Sequence, residues 1–225
     1  MQVLHRIIES SWSEETTNLE NQNIGQSDIT ALVIKTLLGG KIIRLKTNTK
    51  DHYCNVINST LVDYTNESFA DYHLTETSIS EVDESELLEK EELRQRYLIF
   101  LKNITHTIQE EFKAKLAEES ERVGLTGTKN SPYTYLDLTD YYDGGAYEMV
   151  AFTLKTASES VHYEYIKDKE DGTISMTSRA KKTSQKDQKP NQTIIDQVLS
   201  LARENKSSIE SIKILEKKVS SLVTD

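Results

Sequence analysis

Cysteine is nearly absent: Cys54 is the single one in 225 residues. One thiol excludes an intramolecular disulfide and a thiolate zinc cage. It suits a reducing compartment. No run approaches the ~18 uncharged apolar residues of a membrane helix, so no membrane partner is expected. The N-terminus, Met1-Gln2-Val3-Leu4-His5-Arg6, lacks the apolar run and small-residue cleavage site of a secretory signal. Basic charge is in deficit, with 27 Lys and Arg against 37 Asp and Glu and a net charge of −10. A phosphate backbone repels such a surface, which disfavours nucleic acid as a partner. The expected location is cytoplasmic. Only 36% of the chain is hydrophobic and 28% is charged, which is polar but enough to bury a core.

Proline is as scarce, and its two positions punctuate the chain. Pro132 and Pro190 separate three stretches of different texture. In the first, Leu4, Ile7, Ile8, Ser11 and Trp12 share a helical face. Ser13 to Ile24 reads as a loop. Asp28 to Leu38 reads as a helix with Ile29, Leu32, Val33 and Thr36 on one side, closed by Gly39-Gly40. Strands follow at Lys41–Lys46, His52–Ile57 and Thr60–Tyr64, the last two joined by a turn at Asn58-Ser59. Residues 76–93 hold eight acids and one lysine and read as a solvated loop and helix start. From Leu93 a stripe runs through Tyr97, Phe100, Leu101, Ile104, Ile108, Phe112 and Leu116, one helix over some seven turns.

The second stretch has the texture of an antiparallel meander. Strands are expected at Tyr133–Leu138, Ala146–Lys155, Val161–Lys167 and Thr173–Ser178, with turns at Asp143-Gly144-Gly145 and Asp171-Gly172. Seven of the eleven tyrosines lie between 133 and 165, and tyrosine serves both a half-buried sheet and a binding face. In the third stretch Ile194, Val198, Leu201, Asn205, Ser208, Ile212, Leu215, Val219 and Leu222 step alternately by four and three. One continuous helix from about 192 to 223 is expected. Asn205 at an a position suits a coiled coil. The apolar e positions Ile195, Ala202, Ile209 and Val223 suit a helix docked on its own domain instead.

The residues that carry chemistry are few. Ser27 falls at a helix start, where unpaired N–H groups and the positive dipole end favour a nucleophile and its oxyanion. Gln26, just ahead, is a candidate oxyanion donor. His52 and Asp63 fall on consecutive strands, where a carboxylate can orient an imidazole. A helix-borne nucleophile followed by a strand-borne His and a next-strand Asp is the order of papain-like hydrolases. Ser27, His52, Asp63 and Gln26 are therefore the catalytic candidates. Ser27 as a plain N-cap is the simpler use. His52 and Cys54 share a strand face, yet a lone cysteine is most often a small buried hydrophobe. No further ligand has useful spacing, so no metal and no cofactor is expected.

The order of motifs resembles the bacterial YunG family. The matching residues are Ser11-Trp12-Ser13, Glu15-Thr16, Gly25-Gln26, Thr30-Ala31-Leu32-Val33, Gly39-Gly40, His52-Tyr53, Asn55, Asp63, Thr65, Phe69 and Arg96-Tyr97. They span roughly residues 4–101. The resemblance implies a domain type rather than an activity, and it implies a cysteine where Ser27 stands. A serine hydroxyl is hardly ionised at neutral pH, while a thiol beside an imidazolium readily becomes a thiolate. Three readings of Ser27 stand: a natural loss that leaves a binding protein, an engineered replacement of cysteine, or a working serine nucleophile with His52 as base.

The expected fold class is α+β: a papain-like-type helix and antiparallel sheet, a second, tyrosine-rich antiparallel sheet, and a long C-terminal helix. The expected parts are a YunG-like domain over 1–105, a connecting helix and loop over 106–130, an antiparallel β region over 131–182 and the helix over 191–225. The expected function is a catalytically silent papain-like domain in a protein that binds a protein partner or self-associates through the C-terminal helix. The alternative is an amide or thioester hydrolase or acyl transferase with Ser27 at the nucleophile position. Gly124-x-x-Gly127 lacks the strand and glycine pattern of a nucleotide loop. The basic run Arg179-Ala180-Lys181-Lys182, with Lys186 and Lys189, reads as a solvated linker.

Overall fold

A computed structural model of the chain describes residues 2–16, 26–46, 51–65, 78–180 and 190–224. Among the described residues are six α-helices and two four-stranded antiparallel sheets, an α+β architecture. The chain divides into two compact units. One comprises Met1–Ile108 with Lys213–Asp225, the other Gln109–Ile212. Of the motif residues, Gly25 and Phe69 lie outside the described residues. So do Lys181, Lys182, Lys186 and Lys189, and most of the Ser13–Ile24 stretch beyond Thr16.

The first unit opens with helix α1 (Gln2–Ser10), a short 3-10 turn (Glu14–Thr16) and helix α2 (Ser27–Leu38). Ile29, Thr30, Ala31, Leu32, Val33 and Ile34 are all buried. The expected one-sided stripe is thus a nearly complete apolar jacket, as suits an enclosed helix. Gly39 ends α2 at φ 73°, the left-handed conformation that glycine adopts without strain. Gly40 is required as well, because a Cβ there would collide with the Val56 carbonyl.

Strands β1 (Lys41–Lys46), β2 (Asp51–Ile57), β3 (Thr60–Val62) and β4 (Ile79–Val82) form one sheet in the order β3-β2-β1-β4. Asn58 and Ser59 join β2 to β3 with φ of 49° and 64°, the double left-handed conformation of a tight hairpin. β4 corrects the reading of residues 76–93 as loop and helix start. It pairs with β1, Ile42 opposite Val82, and buries Val82 at 2% exposure. As an edge strand flanked by acids, it turns Glu81 to solvent, where it meets Lys41 at 2.7 Å. That charge density hid the strand from a reading by composition. Helices α3 (Glu84–Leu88) and α4 (Glu91–Arg122) follow. All eight apolar stripe residues of α4, Leu93 through Leu116, are buried.

In the second unit, β5 (Tyr135–Asp143), β6 (Tyr147–Lys155), β7 (Ser160–Asp168) and β8 (Ile174–Ala180) form the expected meander in sequence order. β5 runs past the expected end at Leu138, because a bulge between Leu138 and Asp140 shifts the register. The shift keeps Tyr141 on the buried face with Leu136 and Leu138. That face packs with Phe112, Leu116 and the apolar side of helix α5 (Gln192–Glu204), whose Ile195, Val198, Leu201 and Ala202 are buried. Asn191 caps α5 by accepting the Ile194 N–H at 3.0 Å.

The tail is not one continuous helix. Helix α6 (Lys206–Thr224) begins anew after Asn205, which sits at φ −107°, ψ 11°. Asn205 Nδ2 donates to the Leu201 carbonyl at 2.9 Å and to Glu119 at 2.7 Å. A side-chain amide that hydrogen-bonds locally competes with the helix ladder at that point. Ile209 is buried with Ile195 and Ala202 in the core of this unit. In the first unit, α6 buries Leu215 and pairs Lys218 with Glu84 at 2.5 Å. Among the described residues, no helix is long and apolar enough to cross a membrane.

Candidate functional site

Helix α2 and strand β2 carry most of the candidates. Asn55 Nδ2 donates to the Ala31 carbonyl at 3.0 Å, which ties α2 to β2. Side chains alternate along a strand, so His52 and Cys54 share one face of β2. There His52 Nε2 pairs with Asp63 Oδ2 at 2.9 Å. His52 is fully buried and the Asp63 side chain is 7% exposed.

Asp63 follows β3 directly, one strand over from His52, as the hairpin dictates. Its Oδ1 accepts from the Thr65 N–H at 2.9 Å and the Thr65 hydroxyl at 2.6 Å. Burial alone would raise the Asp63 pKa, but the hydrogen bonds from His52 and Thr65 hold it below the usual carboxylate value. The result is an ionised carboxylate beside an imidazole whose orientation it fixes.

Ser27 is buried at 5% exposure in the first turn of α2. Its Oγ accepts the Tyr53 backbone N–H at 3.3 Å. That amide lies past the end of β3, whose pairing with β2 reaches only to Asn55. The Ser27 hydroxyl thus reaches the β2 backbone at the residue after His52. Ser27 does not supply a side-chain cap, and the N-cap position belongs to Gln26. Gln26 Nε2 reaches Thr16 Oγ1 at 3.4 Å. Cys54 is 1% exposed, with Sγ 3.8 Å from the Ile43 carbonyl. Burial and the nearby Asp63 charge push its thiol up to about 12, which makes it a poor nucleophile.

Sequence reasoning placed Arg96 in a motif without giving it a role. The structure buries it at 6% exposure. Its guanidinium forks onto both Asp28 carboxylate oxygens at 3.1 and 3.2 Å, and its Nε donates to the Thr16 carbonyl at 3.1 Å. Next to it, the Tyr97 hydroxyl meets Thr36 Oγ1 at 2.7 Å. α2 is thus held at its start and near its end by consecutive residues of α4. The signal that could have found this was the Arg96-Tyr97 pair itself, since Arg is seldom fully buried without a partner. Among the described residues, no group of three or more His, Cys, Asp or Glu side chains is placed to hold a metal ion.

Comparison with known proteins bears on the first unit. The family described as YunG protein matches residues 1–109. A curated relative, described as "Uncharacterized protein YunG" of Bacillus subtilis (strain 168), is 33% identical over 72 residues. The match covers 31% of this chain and 63% of the relative, so the chain spans less than two thirds of that protein's length. No solved structure matches the chain. The N-terminal region of this chain is YunG-like.

Proposed function

We propose that the YunG-like region is a papain-type domain in a catalytically silent form, and that the chain acts through protein–protein contacts. The observation that carries the reading is the Ser27 hydroxyl. It accepts the Tyr53 backbone N–H, while the imidazole pairs with Asp63. A serine hydroxyl is hardly ionised at neutral pH, unlike the thiolate that a site of this type is built around. The contact surface is the C-terminal helix, where Ile214 is 42% and Val223 is 62% exposed. A protein partner or a second copy of the chain would cover these residues.

The His52–Asp63 pair supports a second reading, an amide or thioester hydrolase or acyl transferase with Ser27 as nucleophile, His52 as base and Asp63 as orienter. The two are separated by assay of the unaltered chain with activated ester and thioester probes, followed by Ser27→Ala and His52→Ala. The silent reading expects background hydrolysis, unchanged by either substitution. Turnover that both substitutions abolish would establish the hydrolase. Light scattering over a concentration series, with the chain and with Ile214→Lys/Val223→Lys, tests the contact surface. A mass that neither rises with concentration nor responds to the substitutions removes self-association.

A further inference from the structure

The helix start has a brace that no catalytic assignment accounts for. Arg96 is buried and shares its guanidinium between two segments remote from it in sequence. Two of its nitrogens take the Asp28 carboxylate and the third takes the Thr16 carbonyl. Asp28 Oδ1 also accepts the Ile29 N–H at 2.7 Å, within the first turn of α2. Thr16 Oγ1 accepts the Ser13 N–H at 2.8 Å and receives Gln26 Nε2. One planar cation thereby links the Glu14–Thr16 turn, the N-cap Gln26 and the first turn of α2.

We propose that Arg96 is a positioning residue: it fixes the start of α2 so that residue 27 faces the Tyr53 amide. The proposal rests on the reading of Ser27 as a nucleophile position and adds the group that sets its geometry. The chemistry favours arginine for this task. A bidentate fork fixes direction as well as distance, which a lysine ammonium cannot do. Tyr97 on Thr36 and Asn55 on Ala31 hold the rest of α2, so a change at Arg96 moves the first turn with the helix still docked.

The test uses the full chain carrying Ser27→Cys, because a thiol reports its surroundings directly. A thiolate at residue 27 would accept the Tyr53 N–H and face the positive end of α2, both of which lower its pKa. Iodoacetamide labelling of this residue is followed against pH in the parent and with Arg96→Lys or Arg96→Gln added, each variant checked by thermal melting. The expected result is a depressed thiol pKa in the parent. Both additions should raise it by about one unit, about tenfold in thiolate at a fixed pH below it. Arg96→Lys is the decisive variant, since it keeps the charge and loses the fork, and it decides alone if Arg96→Gln does not fold. A lysine variant that labels as fast as the parent overturns the positioning role and leaves the nucleophile position intact. A parent thiol of ordinary pKa overturns the nucleophile position and the brace with it.

Discussion

The first unit buries the polar side chains of Ser11, Thr16, Ser27, Thr30, His52, Asn55, Arg96 and Thr105, whereas the second buries those of Ser120, Thr126, Glu148 and Asn205. Buried polar groups cost free energy unless they are paired, so their placement shows what each unit is built around. In the first unit most of them converge on α2 and β2. In the second, the ionic cluster ties a helix to a sheet. Arg203 forks onto Glu148 at 2.7 and 2.8 Å, and the Tyr141 hydroxyl donates to the same carboxylate at 2.9 Å. Arg203 itself is 54% exposed, so water shares in its solvation. Arg96 has no such recourse. A domain that concentrates enclosed polar groups around one helix start departs from the apolar core rule where function is expected.

The sharpest way to break this contrast is to remove one anion from each unit's arginine. Asp28→Ala leaves the Arg96 guanidinium buried without its carboxylate and should cost about 3–5 kcal/mol in urea unfolding. Glu148→Ala should cost less, about 1–3 kcal/mol, because Arg203 can turn to solvent. Equal losses would mean that the two pairs do the same job.

Titration sharpens the first unit's side of the contrast. The Cys54 thiol has an unfolded value of 9.0 and a folded value of about 12. A raised acid keeps its stabilising contribution below the unfolded pKa and loses it as pH rises toward the folded one. The first unit should therefore weaken between those values by about 1.4 kcal/mol per pH unit, and Cys54→Ala should flatten that slope in alkaline denaturation. Asp63 has the opposite sign. Its folded pKa lies below 3.8, so its contribution is present above that value and fades as pH falls through the folded one. Asp63→Asn should remove this acid dependence, as read from melting temperature against pH. Smallest of all, Val223→Ser should change stability by less than about 0.5 kcal/mol. A larger loss in thermal melting of the dilute chain would mean that Val223 is covered.

Much of the architecture was legible because the governing patterns are local. The hairpin at Asn58-Ser59, the strand Lys41–Lys46 and the buried stripe Leu93 to Leu116 follow from turn chemistry and periodicity. The strand at Ile79–Val82 was not, since its stability comes from pairing with β1 and its sequence is that of a solvated acidic stretch. The break at Asn205 was not legible either. The heptad steps run through it unchanged, and only the Glu119 carboxylate, 86 residues away in sequence, gives the amide a reason to leave the helix.

The site divides in the same way. The order Ser27, His52, Asp63 is a property of the sequence. So is the neighbourhood of His52 and Asp63, because a two-residue hairpin sets consecutive strands side by side. Which face each side chain takes relative to α2 depends on how the helix docks on the sheet, through Asn55 and Ala31. The fork of Arg96 onto Asp28 joins residues 68 apart in sequence, and a contact of that range leaves no periodicity in the chain. Sequence determined the elements and the chemistry available to them. Tertiary packing decided which groups meet, because a buried polar atom takes whatever partner the folded chain brings within hydrogen-bond reach.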